Sequence, residues 1–208
     1  MEDWKYIDLS VDLIVKASDQ IDFLKDVDTE GILYAGSILE HACYRYERYW
    51  LPLCVDLELT GENYEDFYPP LDVAWVWHVH MLSPTEYQKD CKKICGKIIN
   101  HSYPSKYERI RKQAKTREKW ESLGISYDYL SENSIDSEKN FKNFSTSFKY
   151  DLIAAADRQK SFYYQVSLPH FQNNDFLLIS LDRYKKFLYL KQKNPNQFIV
   201  PCYGIDLM

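Results

Sequence analysis

Apolar residues recur every three or four positions along most of the chain, and few segments alternate with period two. Ile14, Ala17, Ile21 and Leu24 share one face of a first helix that Ser10 can cap. Thr29 predicts the opening of a second, along which Ile32, Ala35, Leu39, Cys43, Tyr46 and Trp50 keep one apolar stripe until Pro52 bends or ends it. Polar residues at 60–66 form a loop closed by Pro69-Pro70. Asp72 is then placed to cap a short helix over 73–82. Val73, Val76, Trp77 and His80 fall on one side of it, and Trp75, His78, Val79 and Leu82 on the other. A helix that is apolar all round is a buried one.

Ser83-Pro84-Thr85-Glu86 has the form of a capping box with proline at the first helical position, and the helix it opens runs past Tyr87, Cys91 and Ile94 to Gly96. Further helices are predicted over 106–120, 148–164 and 176–191, with Ser167-Leu168-Pro169-His170 as the turn between the last two. The fold class read from this pattern is all-α, a compact helical domain.

The pattern also echoes itself. Ala42-Cys43-Tyr44-Arg45 followed by Tyr49-Trp50 is matched by Ala155-Ala156-Asp157-Arg158 followed by Phe162-Tyr163. The approach to Leu71-Asp72 through Pro69-Pro70 is matched by Val200-Pro201-Cys202-Tyr203-Gly204-Ile205-Asp206-Leu207. These echoes suggest two degenerate helical repeats, 1–123 and 148–208, packed together and joined by a Ser-, Asn-, Asp- and Lys-rich linker or surface loop at 124–147.

Composition narrows the classes. At 45% apolar and 27% charged residues, the 208-residue chain can bury a core and is not disordered. Eighteen Tyr, ten Phe and five Trp against six Gly argue against propellers and glycine-rich phosphate-binding folds. The net charge of −5 is uneven: residues 1–72 hold 17 acids and 5 bases, so the remainder is basic. That asymmetry suits docking between the two parts or with a partner. Eight Lys and Arg lie within 97–119, among them Arg109, Arg111, Lys112 and Lys115, a candidate basic surface that could face RNA. A pI of 5.6 lacks a nucleic-acid binder's footprint, and a solvated helix face is the favoured reading. Five cysteines without a C-x-x-C spacing do not make a disulfide framework, the amino terminus has no signal-peptide pattern, and no apolar run is long enough to span a bilayer. The expectation is a reduced intracellular protein of the cytoplasm.

Several motifs together resemble the glycine-rich domain-containing protein-like family, known from the amino-terminal region of plant proteins. They are Arg45-Tyr46-Glu47 with Trp50-Leu51-Pro52-Leu53, the specific block from Pro69 to Pro84 containing Trp75, Trp77, His78 and His80, and Tyr87 with Asp90-Cys91. The segments 116–121, 158–169 and 200–207 complete the pattern from about residue 35 onward. Gly204 stands where the family has Asp, and the glycine-rich segment that names the plant proteins is not in this sequence. The resemblance implies a link to stress, hormone and developmental responses and carries no established activity.

The candidate chemistry centres on His78 and His80. On a strand such a pair shares a face and can grip one metal; on a helix the two point about 160° apart, unlike the i,i+4 pair of a helical zinc site. One of them could still ligate zinc with Cys91, Asp72 or Asp90. The favoured reading is instead that both are core residues, hydrogen-bonded to carboxylates or backbone. Arg45 and Glu47 are read as a polar lock, with Arg45 tied to Asp72 and Asp90, or alternatively as an anion site. The functional expectation is a non-enzymatic interaction module binding a protein, or less readily RNA, with no cofactor. The alternative is a divalent-metal protein or metal-dependent enzyme centred on His78, His80 and Cys91.

Overall fold

A computed structural model describes residues 3–101, 103–130, 141 and 143–208, the side chain of Glu30 excepted. The described residues are helical and contain no strand, which establishes the all-α class. Positions 131–140 and 142 of the expected polar linker lie outside the described residues.

The chain forms two compact units, residues 26–160 and residues 1–25 with 161–208. Helix α1, Leu13–Glu30, and helix α7, Leu152–Val166, each contribute to both.

In the larger unit, α2 (Gly36–Arg45) runs directly through a π-helical turn, Tyr46–Trp50, into α3 (Leu51–Leu59). Pro52 is the physical reason for the turn. It has no N–H to give the carbonyl four residues back, and its ring clashes with that carbonyl in a regular helix. One wider turn absorbs the misfit, with the Leu51 N–H bonding to the Tyr46 carbonyl. The run is therefore reshaped at Pro52 rather than ended, and Arg45, Tyr46, Glu47, Trp50 and Leu51 all point inward.

Helix α4, Leu71–Met81, packs against α2, the π turn and α5, which spans Pro84–Cys95. Every residue of α4 from Asp72 to His80 is buried, as its all-round apolar pattern requires. Helix α6, Lys106–Ser122, buries Arg109, Thr116 and Trp120.

In the smaller unit, α8 (Asn174–Lys193) packs on the 3-10 turn Asp3–Tyr6 and on α9 (Tyr203–Leu207). The Trp4 indole donates to Asp182 at 3.1 Å. Gly204 meets buried Ser180 so closely that a Cβ there would lie 2.6 Å from the Ser180 Oγ.

Four local expectations are corrected. Asp12, not Ser10, caps α1, accepting from the Ile14 and Val15 N–H groups at 3.0 and 3.2 Å. Thr29 lies inside the last turn of α1, and the next helix starts only at Gly36. Asp72 is the second residue of α4 rather than its cap, which is Pro70, although its negative charge still suits a helix amino terminus. Ser83 does cap α5 in position, with Pro84 first in the helix, but its side chain makes no capping bond. Its N–H is committed to the His80 carbonyl at 3.1 Å, closing α4. The capping box that forms is at Ser105 and Glu108, opening α6.

Candidate functional site

The polar residues at the heart of the larger unit are held by α2, the π turn, α4 and α5. Arg45, only 2% exposed, places its Nε 3.0 Å from an Asp72 carboxylate oxygen and donates from Nη2 to the Tyr127 carbonyl at 2.8 Å. Its guanidinium lies 5.1 Å from the centroid of the Trp120 ring, a cation–π contact away from water. Burial pushes the Asp72 carboxyl up to about 6 against the opposing pull of Arg45. Both charges are thus spent on each other. This ion pair forms half of the expected lock; Asp90, the other expected member, goes elsewhere.

Asp90 stands against His80, with 3.4 Å between its carboxylate oxygen and Nε2. The Nδ1 of the same ring meets the Tyr46 hydroxyl at 3.2 Å. Burial lowers the His80 pKa despite the neighbouring carboxylate, so the imidazole is neutral at neutral pH. His78 has a different neighbour: its Nδ1 meets the Tyr103 hydroxyl at 3.1 Å, and burial lowers its pKa to about 4. Trp77, between them in sequence, donates from Nε1 to the Tyr87 hydroxyl at 2.8 Å, and that hydroxyl donates to the Ile99 carbonyl at 2.5 Å. Cys91 is fully buried below Tyr87, with its thiol pKa raised chiefly by burial. Among the described residues, no group of three or more His, Cys, Asp or Glu side chains is placed to hold a metal ion. The geometry ties each histidine to its own tyrosine.

Glu47 answers to the segment before α7. Its carboxylate accepts from the Thr146 hydroxyl at 2.7 Å, from the Ser147 hydroxyl at 2.6 Å and from the Ser147 N–H at 3.2 Å. It forms no pair with Arg45. The part of the expected linker at 143–147 is thereby fastened to the π turn, and Phe148 continues it over Tyr46 and His80, with ring centroids 5.5 and 4.9 Å away.

The basic residues of α6 meet the acidic first third of the chain. Lys106 and Arg109 pair with Asp26 at 2.9 and 2.8 Å, Lys115 with Asp66 at 3.8 Å, and Lys119 with Glu62 at 3.0 Å. Lys97 pairs with Glu58. Five of the eight cations over 97–119 thus pair with acids of the first third inside this unit. Arg111 is exposed on the outer face, one turn from Tyr107, and Lys112 is half-buried.

The residues that the sequence did not point to are His101, Tyr103 and Tyr127. His101 packs edge-on to Trp77 with centroids 4.2 Å apart, and burial followed by the proximity of His78 lowers its pKa to about 3. All three lie in connections between helices, where no periodicity marks a side chain as inward. Tyr87 alone had a local signal, its place in the Tyr87, Asp90, Cys91 motif.

The fold and this polar centre define an all-α protein built around a buried Trp- and His-bearing helix. The sequence profile of the glycine-rich domain-containing protein-like family matches residues 3–90 and 86–208. The chain belongs to that family. It is 37% identical over 211 residues to glycine-rich domain-containing protein 1 of Arabidopsis thaliana, and 37% identical over 209 residues to glycine-rich domain-containing protein 2 of the same plant. Each alignment covers 97% of this chain but only 26% and 27% of the respective relative, so the chain spans about a quarter of their length. No solved structure matches it. No helix among the described residues is long and apolar enough to cross a membrane.

Proposed function

We propose that the chain is a non-enzymatic helical interaction module and that the outer face of α6 docks a protein partner. The observation that carries this reading is the exposure of Tyr107 and Ile110, at 79% and 60%, beside exposed Arg111 on a helix whose neighbouring cations are paired internally. Aromatic residues and Arg are enriched at protein interfaces, and an exposed apolar pair beside one cation suits an apolar segment with an acidic flank. The inward commitment of His78, His80, Arg45 and Glu47 supports a structural rather than a chemical role for the motif residues.

A photoreactive phenylalanine analogue at position 107 tests the surface. The expected result is a discrete, nuclease-resistant protein adduct in cells, lost in an Ile110→Glu variant with unchanged melting temperature. Nuclease-sensitive adducts would indicate RNA instead, and adducts indifferent to Ile110→Glu would remove α6 as the docking face.

A further inference from the structure

Phe141 and residues 143–153 leave a gap against α2. Between them is a cavity of about 580 Å³, within the size range of small organic ligands. Phe141, Phe144, Phe148 and Tyr150 form its aromatic wall, and the opening of α7 adds Leu152 and Ile153. Helix α2 supplies Glu40 and Cys43. Asp151 and Lys149 complete the charged groups at its edge.

The wall is built rather than draped. Thr146 and Ser147 are bound to Glu47, and Phe148 and Tyr150 rest on His80, with centroids 4.9 and 6.3 Å away. Phe141 and Phe144 meet Tyr44 edge-on at 6.0 and 5.1 Å. The aromatic ring faces carry negative quadrupole charge, which favours cations. Phe144 already has the Arg48 guanidinium 5.6 Å from its centroid.

The carboxylates converge on the same place. The buried Cys43 thiol is pushed up to about 12, first by burial and then by Glu40, Glu47 and Asp151 together. Glu47 is occupied by Thr146 and Ser147, and one oxygen of Asp151 accepts from the Ala154 N–H at 2.9 Å to cap α7. Glu40 is exposed and lines the cavity from α2, and Lys149 is the one lysine among its lining residues.

We propose that this cavity binds a small organic cation, an apolar group carrying a protonated amine. The apolar part lies against Phe144 and Phe148, and the ammonium sits between Glu40 and the free side of Asp151. The site is separate from the α6 surface, and neither reading depends on the other.

Protonated 2-phenylethylamine and its size-matched anion 3-phenylpropionate, titrated into the full chain and followed by amide NMR shifts, test it. The amine is expected to shift residues around 40–43 and 144–153 and to bind about tenfold more tightly than the anion. Glu40→Gln, a surface change that leaves the melting temperature in place, is expected to weaken the amine roughly three- to tenfold, and Glu40→Lys to erase the preference for it. Equal binding of amine and anion, binding indifferent to Glu40, or no shifts from either probe at millimolar concentration would overturn the proposal.

Discussion

Helices α4 and α6 both carry side chains that suggest chemistry, and the fold treats them in opposite ways. Helix α4 sets Asp72, His78 and His80 among Val and Trp and buries all of them, each with a named partner. Helix α6 carries most of the basic centre on a surface, where acids of the first third neutralise Lys106, Lys115 and Lys119, while Arg109 is buried against Asp26. A buried polar group must be satisfied, because leaving it alone costs about 1–3 kcal/mol, whereas an exposed ion pair contributes about 0–1 kcal/mol. Polar residues in α4 are therefore buried and held by their partners, while most of the paired cations in α6 sit in exposed pairs that contribute little.

The largest expected effect lies in α4. Trp77 packs on Trp50 and His101 and donates to Tyr87, so Trp77→Ala is expected to cost about 3–5 kcal/mol in urea denaturation. A folded, equally stable variant would break the contrast between the helices.

Acid comes next. The folded His78 pKa of about 4 lies below its ordinary 6.5, so the unfolded chain binds the proton more readily between those values. Its contribution is complete above pH 6.5 and is lost as the pH falls towards 4, at up to about 1.4 kcal/mol per pH unit. His80 and His101, also lowered by burial, act in the same direction. Asp72, raised to about 6 from 3.8, acts in the opposite one, gaining as the pH falls through 6, and offsets about one histidine. Denaturation curves from pH 7 to 4 are expected to show falling stability, with a shallower slope for His78→Gln. An unchanged slope would mean that His78 is not buried neutral.

The smallest effect belongs to α6. Lys119→Met, breaking the exposed pair with Glu62, is expected to change stability by no more than about 1 kcal/mol and to leave the acid slope intact.

The sequence made α4 and α5 legible because each announces itself locally. An apolar run without a polar face specifies burial, Pro84 specifies a start, and Gly96, at φ 72°, specifies a stop. The choice between two capping signatures was less legible. Ser83 and Ser105 are each followed three places on by Glu, but α4 ends so near Ser83 that its backbone serves that end. Pro52 signalled a disturbance, not its form, since a π turn depends on what the inward-turned residues then bury. The candidate centre was half legible: Arg45 with Asp72 follows from the need to pair buried charges. The partners of Glu47 and of His78 were not, because Thr146, Ser147 and Tyr103 lie in irregular segments brought in by tertiary packing.

The central claim is that His78 and His80 are separate structural ties, and a double-mutant cycle with chelator tests it most directly. His78→Ala and His80→Ala strand different tyrosines, so each should cost about 1–3 kcal/mol and the two should add within about 0.5 kcal/mol. Chelator should leave the melting of the wild type and of both variants unchanged. A double variant no worse than either single one, with wild-type melting alone sensitive to chelator, would mean a shared metal and contradict the account.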